Sequence, residues 1–320
     1  VLIIAAIGPC GGDLDRVIET IEAARTAGAN TVKFTAFNPD RLTIDAGGIV
    51  FTVQSGPFTG KSLLEFYKSQ VMPYAWFPEL FKYSKARGLN VAVAALDEQA
   101  IEMAEFLDCQ IYRIPSLDIT DTNLISRAAK AGKHLIISTG MASDDEIDDA
   151  VQASLLASKV TLLHCVSAYP APVEGFSLRR ILGIRNRFSK PVGLSDHSVS
   201  TVLPAIAVPL GIDVIEKHIT LDDDDEQFEM DPAEFAIMVS NARDAREAMR
   251  VSVSPQPLHN LRRSIYAVEN IQEGERFTHD NVRVIRPGLG MKPNELSRVI
   301  GQFASKDIRR GTPMNIEMIR

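Results

Sequence analysis

Residues 193–218 read GLSDHSVSTVLPAIAVPLGIDVIEKH. Two short apolar runs, Pro191 to Leu194 and Asp213 to Glu216, are each followed by a histidine, His197 after the first and His218 after the second. One helix length lies between them. Continuous apolar runs bounded by turns and spaced by helices are what a parallel sheet covered on both faces requires.

The same unit recurs on either side of that stretch. Runs rich in β-branched residues occupy 2–7, 31–36, 90–95, 110–114, 134–138, 160–164, 191–194 and 213–217. Between them Leu14, Val17, Ile18, Ile21 and Ala24 share one helical face, and Gly28 stands where that helix should stop. Ser143 with Glu146 forms a capping box ahead of a helix reaching 157, and Asp231, Pro232 and Glu234 occupy N-cap, N1 and N3 of a helix reaching 249. Eight strands with eight crossovers predict an α/β fold, a TIM (β/α)8 barrel, which needs about 250 residues. The 320-residue chain therefore leaves room for a small appendage. The barrel is expected over 1–250 and a Pro-containing linker over 251–260. A small domain with short β-like pieces, SIYAVE and NVRVIRPG, is expected over 261–320. Strands two and three are separated by more than fifty residues, including the Gly-rich TIDAGGIVFTVQSGPFTGK, and an interruption of that length is expected to cover a site.

A net charge of −7 argues against a nucleic-acid partner without excluding a local anion pocket. Three cysteines without CxxC spacing suit a reducing compartment, so the cytoplasm is expected. The opening VLIIAAIG is too short for a membrane span and lacks the flanks of a signal peptide, so no membrane partner is expected. Because the chain opens on Val1 and not on methionine, a few leading residues are expected upstream.

A TIM barrel carries its site at the C-terminal ends of its strands. Those ends are polar throughout: Gly8 with the Cys10-Gly11-Gly12 turn, Lys33 and Thr35, Asp97, then Arg113 with Ser116 and Asp118. Ser138 and Thr139 follow, then His164 with Ser167 and Tyr169, Ser195 with Asp196 and His197, and Glu216 with Lys217 and His218. Lys33, Arg113 and Lys217, read as pointing inward, would bind phosphate or carboxylate. A single strand histidine is ordinarily a hydrogen-bonded structural residue, and His164 is read so. Two at adjacent strand ends make His197 and His218 candidate metal ligands, with Glu216 or Asp196 orienting them or joining them as an extra ligand. The acidic run 222–226 reads as a solvated loop on charge pattern alone. A barrel metallohydrolase is disfavoured, because no His-x-His follows the first strand.

In order along the chain stand GGDLD, GANTVKF, YRIPSLD, GKHLIISTGMASDDEI, LLHCVSAYPAP, GLSDHS, VIEKHITLD and RPGLGMKP. Together these motifs resemble the N-acetylneuraminate (sialic acid) synthase family. LTIDAGGIVFTV, FTGKSLLEFY and DEQFEMDPAEF place the chain nearest the pseudaminic acid synthases within it. The resemblance implies a TIM barrel with a C-terminal SAF (antifreeze-like) domain, and a homodimer whose small domains reach the partner's barrel mouth. It also implies a transferase joining phosphoenolpyruvate to an open-chain amino sugar with release of phosphate, assisted by Mn²⁺ or Mg²⁺. By the same resemblance His197 and His218 are the metal ligands and Glu216 the neighbouring acid. Lys33, Arg113, Ser116, Ser138, Ser167 and Ser195 would contact phosphoenolpyruvate, Tyr169 and Asp225 would lie on the sugar side, and Arg286 would come from the small domain. The family carries a glutamate where Ala6 stands and Asn-His where Cys10-Gly11 stand. These departures leave a second reading open, a homologue that binds metal and phosphoenolpyruvate-like anions without efficient turnover.

Overall fold

The computed structural model describes residues 1–54, 58–221, 228–250 and 261–320, so the linker expected over 251–260 and the acidic run 222–226 lie outside the described residues. The chain divides into two compact units, Val1–Arg250 and Val251–Arg320.

The first unit is a closed barrel of eight parallel strands in sequence order. They are β1 Leu2–Ala6, β2 Thr31–Ala36, β3 Asn90–Ala95, β4 Ile111–Ile114, β5 His134–Ser138, β6 Lys159–Cys165, β7 Val192–Asp196 and β8 Val214–His218. Each expected strand is present within two residues at either end, because β-branched, doubly buried runs have few other places to pack. The barrel closes through β1 and β8, with Ala6 opposite His218. Helices fall between the strands. Leu14–Thr26 is N-capped by Asp13, Asp144–Ala153 carries the expected Ser143–Glu146 capping box, and Pro232–Ala248 is capped by Asp231. The helix after Ser143 ends at Ala153, four residues before its expected end, and Ser154 caps it by hydrogen bonds back to Val151 and Gln152.

Strand parity sorts the side chains. Ile3, Ala5, Val32, Phe34, Val93, Tyr112, Ile137, Leu162, Leu194 and Ile215 face the helices and join the large outer core. Ile4, Ala92, Ile111, Ile136, Leu163 and Val214 fill the barrel interior. Gly193 belongs to that inner wall, where a Cβ would lie 2.6 Å from both Leu163 Cδ2 and the Val214 carbonyl. One layer above the apolar plug the same parity turns Lys33, Arg113, Ser138, Cys165, Ser195 and Glu216 inward beside the small Ala6 and Ala94, with His218 one step higher, so the period that builds the core also brings polar groups to the mouth.

At the opposite end His134 Nε2 lies 2.9 Å from Thr161 Oγ1. Burial, with a smaller push from Lys159, lowers its pKa to about 4. An unfolded histidine titrates near 6.5. Between those values the unfolded chain binds the proton and the folded chain does not, so stability falls as pH drops through that window and levels off below it. His134→Gln should flatten part of the loss of thermal midpoint between about pH 6.5 and 4; a slope equal to that of the unaltered protein would contradict this.

In the second unit β9 Ser264–Ala267 pairs antiparallel with β10 Val282–Ile285, and short bridges such as Ile271 to Ile308 and Ala304 to Ile319 complete a small β-rich body. Its own core gathers Ile265, Phe277, Val282, Val299, Ala304 and Met314.

Candidate active site

The mouth is organised on Glu216. Its Oε1 accepts from Arg113 Nη2 at 2.8 Å and from Ser195 Oγ at 3.2 Å, and lies 3.8 Å from Lys33 Nζ. All are nearly inaccessible to solvent. Burial alone would raise the Glu216 carboxyl, but Arg113 and Lys33 outweigh it and hold the pKa below the ordinary carboxylate range. Burial also lowers the Lys33 ammonium against the pull of Glu216. Two basic side chains therefore share one carboxylate in a buried pocket, an arrangement suited to holding an anion. The Ser138 hydroxyl, in the same inner layer, is fully buried and has no hydrogen-bond partner among the described residues. A buried hydroxyl without a partner is a rare state that a bound anion would relieve.

Next to this pocket stand the two imidazoles, ring centroids 5.7 Å apart. Burial, with mutual repulsion for His197 and repulsion from Lys33 for His218, lowers both to about 3, so both are neutral near pH 7. His197 Nδ1 lies 3.1 Å from the Val166 carbonyl, and His218 Nδ1 lies 3.2 Å from Glu229 Oε1. Each Nδ1 therefore carries the proton and donates it, which leaves an Nε2 lone pair on each ring. This donor set fits a divalent ion: neutral imidazoles, each oriented by an acceptor behind it. No cluster of three ligating side chains exists among the described residues, so oxygens of substrate or water would complete the coordination. Tyr169 packs on His197 at 4.3 Å and Phe228 edges onto His218 at 5.1 Å.

Beyond His218 and Lys33 opens a cavity of about 430 Å³, walled by Cys10, Gly11 and Thr35 on one side and by Phe58, Phe66, Tyr67 and Met72 on another. The aromatic wall comes from the long interval between β2 and β3. Within that interval Phe58, helix Leu63–Gln70 and Met72 cover the mouth as expected, whereas helix Phe77–Ala86 packs against β3 in the outer core.

Several expected residues take other places. Lys217 does not point inward: parity turns it to the helix side, where it is fully buried against Asp196 at 2.8 Å. Asp97 is structural, accepting from the backbone of Asn38 and Ala100 and from the Tyr74 hydroxyl. His164 faces outward and bonds the Phe176 carbonyl, a satisfied core residue. Ser116 Oγ accepts from Gly140 N–H at 3.1 Å. Ser167 Oγ sits 3.9 Å from Cys165 Sγ. Asp225 lies outside the described residues. Arg286 belongs to the second unit, where its Nε donates to the Leu261 carbonyl at 2.6 Å.

Glu229 was not legible beforehand. The backbone at Met230 bridges to β8, with Met230 N–H donating to the His218 carbonyl and Thr220 N–H to the Met230 carbonyl, and this delivers the preceding carboxylate to His218. Glu229 is the one carboxylate lining the cavity among the described residues. Its only sequence signal was an acid eleven residues past the histidine, in a stretch without period.

The comparisons agree with this architecture. A pseudaminic acid synthase of Helicobacter pylori is 32% identical over 96% of this chain and 94% of its own length. An N,N'-diacetyllegionaminic acid synthase of Legionella pneumophila is 30% identical over 96% and 91%. Among solved structures, the N-acetylneuraminic acid (sialic acid) synthetase of Leptospira borgpetersenii in complex with citrate superposes with a TM-score of 0.70 at 29% identity, covering 80% of this chain and 87% of that one. Residues 20–270 match the NeuB family and residues 262–320 the SAF domain. The chain therefore belongs to the NeuB family and carries a SAF domain at its C-terminal end.

Proposed function

We propose that this protein is a nonulosonic acid synthase that condenses phosphoenolpyruvate with the open-chain aldehyde of an amino sugar, of pseudaminic or sialic acid type, and releases phosphate. The observation that carries the reading is the buried pair of cations on one carboxylate, Lys33 and Arg113 on Glu216. Such a pocket binds an anion and holds it away from water.

In this reading Lys33 and Arg113 grip the phosphate and carboxylate of phosphoenolpyruvate, and the hydroxyls of Ser116, Ser138, Ser167 and Ser195 complete the cradle. Glu216 keeps the cations charged and spaced. The methylene carbon bonds to the aldehyde carbon, water adds to the neighbouring carbon, and phosphate departs with the bridging oxygen. His197 and His218 would hold the Mn²⁺ or Mg²⁺ ion, which supplies Lewis-acid polarisation of the aldehyde oxygen. The acceptor sugar would occupy the aromatic cavity between Tyr169 and the Cys10-Gly11 turn, with Glu229 on its polar side, and Asp225 is proposed as a further sugar contact. Arg286 would serve a neighbouring subunit's mouth in a homodimer. A reducing compartment such as the cytoplasm suits the three free cysteines, and no helix among the described residues is long and apolar enough to cross a membrane.

Nothing in the site favours the reading of an impaired homologue. Lys33 keeps its contact with Glu216 although Ala6 is its register partner, and Glu229 brings a carboxylate to the cavity that Cys10 and Gly11 line. The test is phosphate release from phosphoenolpyruvate with a panel of hexosamines and bacillosamine-type sugars in the presence of Mn²⁺. Release that requires both sugar and metal is expected; no release with any member of the panel overturns the proposal.

A further inference from the structure

We propose that the buried Asp196–Lys217 ion pair is a positioning device that fixes the two imidazoles relative to one another from behind the barrel wall. This rests on the reading of His197 and His218 as the working pair of the site.

Asp196 and Lys217 are register partners on β7 and β8, each the immediate neighbour of one histidine. Both side chains are fully buried, and Lys217 Nζ donates to Asp196 Oδ2 at 2.8 Å. Both also grip the backbone of Ser198, the residue that follows His197. Asp196 Oδ1 accepts from Ser198 N–H at 2.8 Å, and Lys217 Nζ donates to the Ser198 carbonyl. The His197 carbonyl, which shares a peptide with Ser198 N–H, accepts from Ala171 N–H at 2.9 Å. The chain carrying His197 is thus tied to the strand that ends in His218, and the tie contributes nothing to the pocket itself.

A buried ion pair is a weak device for stability, since desolvation offsets its attraction and an uncharged pair of similar volume often serves as well. Its geometric effect is stronger. Lys217 reaches across from β8 to a loop carbonyl that no ladder hydrogen bond would fix, so the position of His197 follows β8. Groups behind a ligating histidine are known to set its orientation, and losing one weakens metal binding by about ten- to a hundred-fold.

The experiment compares the unaltered full chain with the neutral double variant Asp196→Asn/Lys217→Gln, whose amides can still meet each other and Ser198. Asp196→Asn/Lys217→Met serves as a second version should the first fail to fold. Two quantities are read: Mn²⁺ affinity, and the ring ¹⁵N resonances of His197 and His218 in the metal-free protein. We expect near-native circular dichroism with Mn²⁺ binding weakened by about ten- to a hundred-fold. We also expect ring nitrogens that pass from one fixed Nδ1–H tautomer to exchange-averaged values. Unchanged ring resonances in a folded double variant overturn the proposal, whether or not metal binds. A separate outcome, Mn²⁺ affinity unaffected by His197→Ala in the otherwise native chain, would remove the metal reading while leaving the ring resonances to decide the clamp.

Discussion

Glu216→Gln should destabilise the barrel by about 3–5 kcal/mol, the range for breaking a buried ion pair by removing one partner. The amide keeps the shape and can still accept from Arg113 and Ser195, so packing is unchanged and the loss isolates the charge. Without the carboxylate, Lys33 and Arg113 stand side by side in a pocket that excludes water. Because the variant's pocket is then more positive than the native one, inorganic phosphate should raise its thermal midpoint more than that of the native protein, by the linkage between ligand binding and folding. Urea unfolding with and without phosphate measures both effects. A variant within about 1 kcal/mol of native, a typical figure for an ordinary point substitution, and indifferent to phosphate would show that the carboxylate does not balance the two cations.

The other large effect is expected at the imidazoles. His218→Ala removes a proposed metal ligand at a position whose backbone β1, β8 and the Met230 bridge all hold in place, so the fold should survive. Loss of Lewis-acid assistance worth several kcal/mol corresponds to about a thousand-fold or greater fall in turnover. Phosphate binding at Lys33 and Arg113 should remain. His197→Ala should behave alike, whereas His164→Ala should lower stability through the lost contact with the Phe176 carbonyl and leave turnover largely intact. Equal losses of turnover at all three histidines would contradict the division into working and structural residues.

Strand order, closure and the polar mouth were legible because continuous apolar runs alternating with helices mark a parallel sheet covered on both faces, and eight such units are the number that closes a barrel. Strand parity was sufficient to place Lys217. With Glu216 facing the axis its neighbour must face the helices, so the inward reading of Lys217 does not hold, and the buried pairing with Asp196 is what parity allows. Glu229 and Phe228 were hidden for a different reason: they arrive by a backbone bridge from a segment without periodicity, and only the closed structure shows which strand end they meet. The aromatic cavity stands between these cases. Phe58, Phe66 and Tyr67 were visible as part of a long interruption, but their approach to Lys33 depends on how helix Leu63–Gln70 and the residues before it fold over the mouth. The pairing of two cations with one carboxylate lay across three strands distant in sequence, and no spacing rule reports a contact of that kind.

The central claim is that one site joins an anion pocket to a metal-holding imidazole pair, and diffraction tests it most directly. Crystals soaked with Mn²⁺ and phosphoenolpyruvate should show one anomalous peak shared by His197 and His218, with phosphate density against Lys33, Arg113 and Ser138. An anomalous peak elsewhere with the imidazoles unliganded, or phosphate density away from that pocket, would contradict it.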